Sequence, residues 1–199
     1  MKIKISVFIV FLILLAPLRV FAFVFDQWES GMDINTIYSI AKKNDIPLHK
    51  EGLISINKRY NSLMCEKYRD TATAYYYPAN LLGEFAKVNL LLTPIGKKVY
   101  QVSIVWNKRQ QGKKSEFTND VKKTIEQKYG AAKKLNGNIF VDEFVWSVND
   151  GTQISIKSSH GDLSLIYEDK IMKDMLDKEQ ASIANPKKVK AHFTDESKF

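Results

Sequence analysis

Residues 83–106 read GEFAKVNLLLTPIGKKVYQVSIVW. Ala86, Val88, Leu90 and Leu92 alternate with Lys87, Asn89 and Leu91, the two-residue period of a strand that buries one face. TPIGKK, residues 93–98, brings the Pro and Gly of a turn, and Tyr100, Val102, Ile104 and Trp106 then alternate with Gln101, Ser103 and Val105. The two runs predict an antiparallel hairpin. Its inner face carries Ala86, Val88, Leu90, Leu92, Tyr100, Val102, Ile104 and Trp106.

Downstream, NKRQQGKK (107–114) is a polar, basic loop, and SEFTNDVKKTIEQKYG (115–130) places Phe117, Val121, Ile125 and Tyr129 at four-residue steps, with Gly130 as the C-cap of a helix. Strands are predicted over 139–148, 152–158 and 162–167, followed by a helix from about 168 to 183 with Ile171, Met175 and Leu176 on one side. Upstream, Asp33 can cap a helix whose apolar positions are Ile34, Ile37, Tyr38, Ile40 and Ala41, ending near Asn44 with Pro47 beyond. Residues 53–56 and 71–77 have strand composition. Helices segregated from runs of consecutive strands predict an α+β fold: an antiparallel sheet of hairpins and meanders with helices packed on one face. The order of helix then strands occurs twice, which suggests two pseudo-repeated halves. DINTIYSIAKK and DVKKTIEQKYG are the segments to compare.

The N-terminus, MKIKISVFIVFLILLAPLRVFA, has Lys2 and Lys4, an apolar run from Ile5 to Leu15, and a short exit ending at Ala22. That is the order of a secretory signal peptide cleaved after Ala22, because the run falls short of the ~20 apolar residues that span a bilayer. The expected organisation is a leader over 1–22, one α+β domain over 23–184 and a flexible basic tail over 185–199, with a periplasmic or secreted location. No cysteine follows the cut, so lipid modification there is not expected. Cys65 is the single cysteine, so no intramolecular disulfide can form and stability must come from packing.

The net charge is +8, and Lys2, Lys4 and Arg19 of the leader contribute three of its positive charges. Beyond the leader the arginines are Arg59, Arg69 and Arg109; the other cations are lysines. Specific phosphate or base recognition favours the guanidinium fork, so no nucleic acid is expected as a partner, and at most a weak attraction to anionic surfaces.

Asp150, His160 and Asp162 fall close together in sequence, yet Asn149-Asp150-Gly151 and Ser158–Asp162 both read as turns. Consecutive turns of a meander lie at opposite ends of a strand, here roughly 20 Å apart at 3.3 Å per residue, so the pair is not a catalytic dyad. Ser39-Ile-Ala-Lys42 and Ser55-Ile-Asn-Lys58 match a Ser-x-x-Lys tetrad without its companion Ser-Asp-Asn and Lys-Thr-Gly motifs. No zinc spacing, phosphate loop or nucleophile elbow is present, so no catalytic residue, metal ligand or cofactor is assigned.

Tyr75, Tyr76 and Tyr77 must point to both sides of an extended segment, which offers a partner surface. Lys108, Arg109, Lys113 and Lys114 form a second candidate surface. The helix opened by Gly31-Met32-Asp33 and followed by an antiparallel meander resembles the small periplasmic modules of the β-lactamase-inhibitor and outer-membrane-assembly lipoprotein type. That resemblance implies a binding module. The chain departs from it by lacking a lipidation cysteine and by its C-terminal helix. The expected function is a non-enzymatic binding or accessory module for an envelope protein partner, the alternatives being an envelope hydrolase with an unrecognised site or a module binding cell wall or anionic lipid.

Overall fold

The computed structural model describes residues 23–51, 73–107, 114–135, 141–148, 151–159 and 162–184. The leader, the 53–56 segment, the Ser55 tetrad, Cys65, Lys108, Arg109, Lys113, Asp150, His160 and the tail lie outside the described residues. A short hairpin, β1 (Val24–Phe25) and β2 (Trp28–Glu29), precedes α1 (Ile34–Lys43) and β3 (His49–Lys50). Then come β4 (Ala74–Leu81), β5 (Glu84–Leu92), β6 (Val99–Asn107), α2 (Lys114–Tyr129), β7 (Lys133–Leu135), β8 (Val141–Ser147), β9 (Thr152–Ser159), β10 (Asp162–Asp169) and α3 (Lys170–Ala184). Among the described residues no helix is long and apolar enough to cross a membrane.

Among the described residues eight strands form one antiparallel sheet in the order β3-β4-β5-β6-β10-β9-β8-β7. Each half is a helix followed by a four-strand meander, and the two last strands, β6 and β10, meet antiparallel at the centre. The architecture is α+β with the predicted antiparallel sheet, and its order matches the two-half reading.

Register aligns the apolar positions of six strands. Tyr77, Val88, Ile104, Leu165, Ile156 and Phe144 follow one another across the sheet, and Tyr75, Leu90, Val102, Tyr167, Ile154 and Trp146 form the next row. This inner face joins one core with Ile34, Ile37 and Ala41 of α1 and Val121 and Ile125 of α2. Two buried indoles in it are paired: the Trp28 indole N–H donates to the Tyr77 hydroxyl at 3.0 Å, and the Trp146 indole N–H donates to the Gly130 carbonyl at 2.8 Å. Burial raises the pKa of the Tyr77 and Tyr167 phenols, so both stay neutral in the core.

One expected core position differs. The ladder shifts between Leu91 and Leu92, so that Leu91 faces Gln101 while Leu92 faces Val99. The extra residue of this irregularity is Tyr100, and Val99 takes the inner place expected for it. Tyr100 instead lies under α3, with the Lys173 ammonium 5.5 Å from its ring centre.

Asp33 caps α1 as its sequence position predicts, Oδ1 accepting the amides of Asn35 at 3.0 Å and Thr36 at 2.9 Å. The helix opening is fixed to β6, since the Gly31 amide donates to the Val99 carbonyl at 2.8 Å and the Val99 amide donates to the Met32 carbonyl at 2.9 Å. Replacing Asp33 by alanine is expected to cost about 1 kcal/mol at neutral pH, and Asp33→Asn much less, as read from urea midpoints. The amide hydrogen bond from Thr36 is the main reason that the Asp33 carboxyl titrates below its usual 3.8. A depressed folded-state pKa gives stability that is complete above the unfolded value and is lost as pH falls below 3.8 through the folded value. The gap between wild type and Asp33→Ala should therefore narrow in that range. A gap that stays constant would mean that the carboxylate is not the capping group.

Two turns at corresponding places in the halves differ sharply. In the second half, β8 and β9 are joined through Asn149, Asp150 and Gly151, residue types suited to positive φ, and Gly151 has φ 90°. In the first, β4 and β5 are joined by Leu82-Gly83 alone, with φ 55° and 75°. Asn-Gly is the usual choice for such a type I′ turn, and a leucine held there costs about 1–2 kcal/mol.

Candidate functional site

The sheet's second face differs in kind from the core. A continuous row across all eight strands reads His49, Tyr76, Asn89, Ser103, Ile166, Ser155, Val145 and Lys133. The neighbouring row reads Pro78, Lys87, Val105, Ser164, Lys157, Glu143 and Leu135. Because side chains alternate, each strand that supplies an aliphatic residue to the core supplies a serine, a valine or a charge here. Val105, Ile166, Val145 and Leu91 are half-buried on this face, whereas Val88, Ile104, Ile154 and Ile156 on the other are 0% exposed.

The centre of the face is small and polar. Asn89 donates from Nδ2 to the Ser103 carbonyl at 3.3 Å and to its hydroxyl at 3.2 Å, while its buried Oδ1 has no hydrogen-bond partner. Serines at 103, 155 and 164 keep the middle of the sheet low, so that a partner can come close to the backbone with the aliphatic side chains as its apolar contact. Charges lie to either side. Lys157 and Glu143 pair at 3.0 Å, and Lys87 and Glu51 at 2.6 Å. Both pairs are well exposed, so each adds at most about 1 kcal/mol to stability and acts mainly on which partner fits.

Of the three consecutive tyrosines, Tyr76 alone faces outward. Its ring lies 5.4 Å from that of His49, and the Lys87 ammonium sits 4.4 Å above it. Tyr75 and Tyr77 are core residues, 0% and 7% exposed, because the strand period turns both toward Leu90 and Val88. They are withdrawn from the candidate surface. Lys114 opens α2, seven residues after β6 ends at Asn107. His160 lies outside the described residues.

At the β7 edge there is a recess of about 440 Å³ lined by Tyr129, Ala131, Lys133, Leu135, Val145, Trp146, Ser147 and Gln153. It opens where β7, pairing only with Glu143 to Val145, stops short of the end of β8. Its lining mixes one cation with apolar and neutral polar groups and holds no acid–base pair. Among the described residues no group of three or more His, Cys, Asp or Glu side chains could hold a metal ion.

Sequence reasoning set Val105 on the outward side of its strand but did not join it with Ile166 into a candidate surface, because the alternation that marks a strand does not say which distant strand completes the row. It also missed Leu82 and Phe85, which are 56% and 72% exposed at the β4–β5 turn. Gly83 was the available signal, as a glycine following two leucines marks a turn in which the second leucine is left outside. No protein-family model, no curated protein and no solved structure matches this chain.

Proposed function

We propose that this chain is an exported binding module of the cell envelope that engages a protein partner through the outward face of its sheet. The observation that carries this reading is the row of half-buried aliphatic residues around a serine and asparagine centre. A solvated face has no need of Val105, Ile166 and Val145 together, and an interface core combines such side chains with small polar groups inside a charged rim. The N-terminal leader supports the location, and the lack of any recognised catalytic motif in the sequence favours binding over chemistry.

The test places a photo-reactive amino acid at Val105 or, as a control, at the exposed Lys123 of α2, in intact cells. A discrete adduct should form from position 105 and be absent from position 123. Val105→Glu should weaken the association at least tenfold by replacing an apolar contact in the interface core with a charge that must be desolvated, at little cost to stability. Identical adducts from the two positions would sink the proposal.

A further inference from the structure

We propose that the recess at the β7 edge binds the carboxylate end of an acylated amino acid whose apolar side chain rests beside Val145 and Tyr129. The backbone sets this place apart from the rest of the sheet edge. β7 enters the ladder only at Lys133, opposite Val145, so Ala131, which the same register would set opposite Ser147, does not pair with it. The Val148 amide donates to the Thr152 carbonyl of β9 at 2.9 Å. Successive residues of a strand turn their N–H and C=O to opposite sides, so those of Ser147 point away from β9, toward the ladder place that β7 leaves open. Among the described residues no strand takes that place, and the recess in front of it, about 440 Å³, has the size of a small-ligand pocket.

Charge selects the ligand. Lys133 is exposed and makes no ion pair among the described residues, whereas Lys134 beside it pairs with Asp142 at 3.0 Å. No carboxylate lines the recess. Those beside it in the ladder are already engaged: Glu143, opposite Leu135, with Lys157 at 3.0 Å, and Glu168, opposite Gln153, with Lys173 at 3.5 Å. The recess therefore attracts an anion and disfavours the free ammonium group of an unmodified amino acid. Ser147 sets the rest of the chemistry. A residue seated opposite it accepts the Ser147 N–H at its carboxylate, which Lys133 neutralises, and donates its own amide N–H to the Ser147 carbonyl. Acylation of the amino group supplies that amide.

A free N-acyl amino acid and the last residue of a peptide present this same group, and the length of the ligand separates them. A peptide that ends opposite Ser147 continues back along the sheet edge and gains contacts with each added residue, whereas a free N-acyl amino acid is complete within the recess. The site is also separate from the partner face around Val105, because β6 lies three strands from β8, about 14 Å at the spacing of neighbouring strands.

Titration of the isotope-labelled chain with N-acetyl-leucine, with N-acetyl-leucinamide and with an acetylated tetrapeptide ending in leucine, followed by amide chemical shifts, tests the assignment. N-acetyl-leucine should shift the Ser147 and Lys133 amides saturably, and its amide should bind at least tenfold more weakly for want of the charge. Lys133→Met should lower affinity for the acid about tenfold or more and Lys133→Arg should keep most of it. Lys133 is exposed, so neither variant disturbs the core. Lys134→Met and Val105→Glu should leave binding unchanged. Tighter binding of the tetrapeptide assigns the site to a peptide terminus, and equal or weaker binding assigns it to a free N-acyl amino acid; both support the carboxylate site. No saturable shift, shifts that map away from Ser147, equal binding of the acid and its amide, or equal losses in Lys133→Met and Lys134→Met would each overturn the proposal. Such a failure leaves the reading of the sheet face standing, because that reading is tested by adducts from position 105.

Discussion

Trp106→Ala is expected to lower the unfolding free energy by about 3–5 kcal/mol, a large part of the 5–15 kcal/mol typical of a domain. Trp106 is 2% exposed on the inner face of β6, where its cross-strand neighbour on β10 is Leu163. Its ring meets Phe117 of α2 nearly edge-on, with centroids 5.6 Å apart and planes at 71°. Its indole N–H reaches the Leu81 carbonyl at 3.4 Å. One side chain thus joins the centre of the sheet to α2 and to the end of β4, and none of these contacts survives truncation. Trp106→Phe keeps an aromatic body and loses a long hydrogen bond, so roughly 1–2 kcal/mol is expected for it. Urea unfolding monitored by far-ultraviolet circular dichroism measures both. A loss below 1 kcal/mol for the alanine variant would contradict the packing described here.

The hairpin that holds Trp106 was legible because its alternation is local, and so were α1, α2 and α3, whose apolar spacing and caps lie within single segments. Tyr100 was misplaced for a reason that alternation cannot express: an irregularity adds one residue to one strand and reverses the side on which that residue lies. β4 runs through Pro78 to Leu81, beyond the predicted end at Tyr77, although proline ordinarily stops a strand. As described, β3 pairs only with Tyr75 and Tyr76, so Pro78 lies past its neighbour on that side, where a missing N–H is tolerated. β3 and β7, with two and three residues, are too short to show any period.

The candidate face was less legible than the core for a related reason. Lys87, Asn89, Gln101 and Ser103 could be read as outward from their own strands. That Ile166, Ser155 and Val145 continue their row depends on the pairing of β6 with β10, two strands separated by more than fifty residues of sequence. Leu82 was hidden by its own character, since a leucine next to a strand is read as core unless its backbone is known to take a positive φ.

Glu179→Ala is expected to release α3 from the sheet, with a loss of roughly 2–3 kcal/mol in the local stability of that helix. Leu176 and Glu179 are the residues that α3 buries, so little apolar packing holds it. The Glu179 carboxylate accepts the amide of Ile95 at 2.6 Å and that of Gly96 at 3.0 Å, closing the β5–β6 turn against the helix. Alanine leaves both amides without their acceptor. Gly96 is part of the same fit, because a Cβ there would stand 2.9 Å from the Glu179 carboxylate and 3.2 Å from the Met175 methyl group. Gly96→Ala should therefore destabilise α3 in the wild type and do so much less in Glu179→Ala, where the carboxylate it crowds is gone. The double variant should then be more stable than the sum of the single losses predicts, by about 0.5 kcal/mol or more. Amide hydrogen exchange over α3, compared with exchange at β6, distinguishes local release from global unfolding. Strict additivity of the two substitutions, or protection of α3 that persists in Glu179→Ala, would show that the helix is held by something other than this carboxylate.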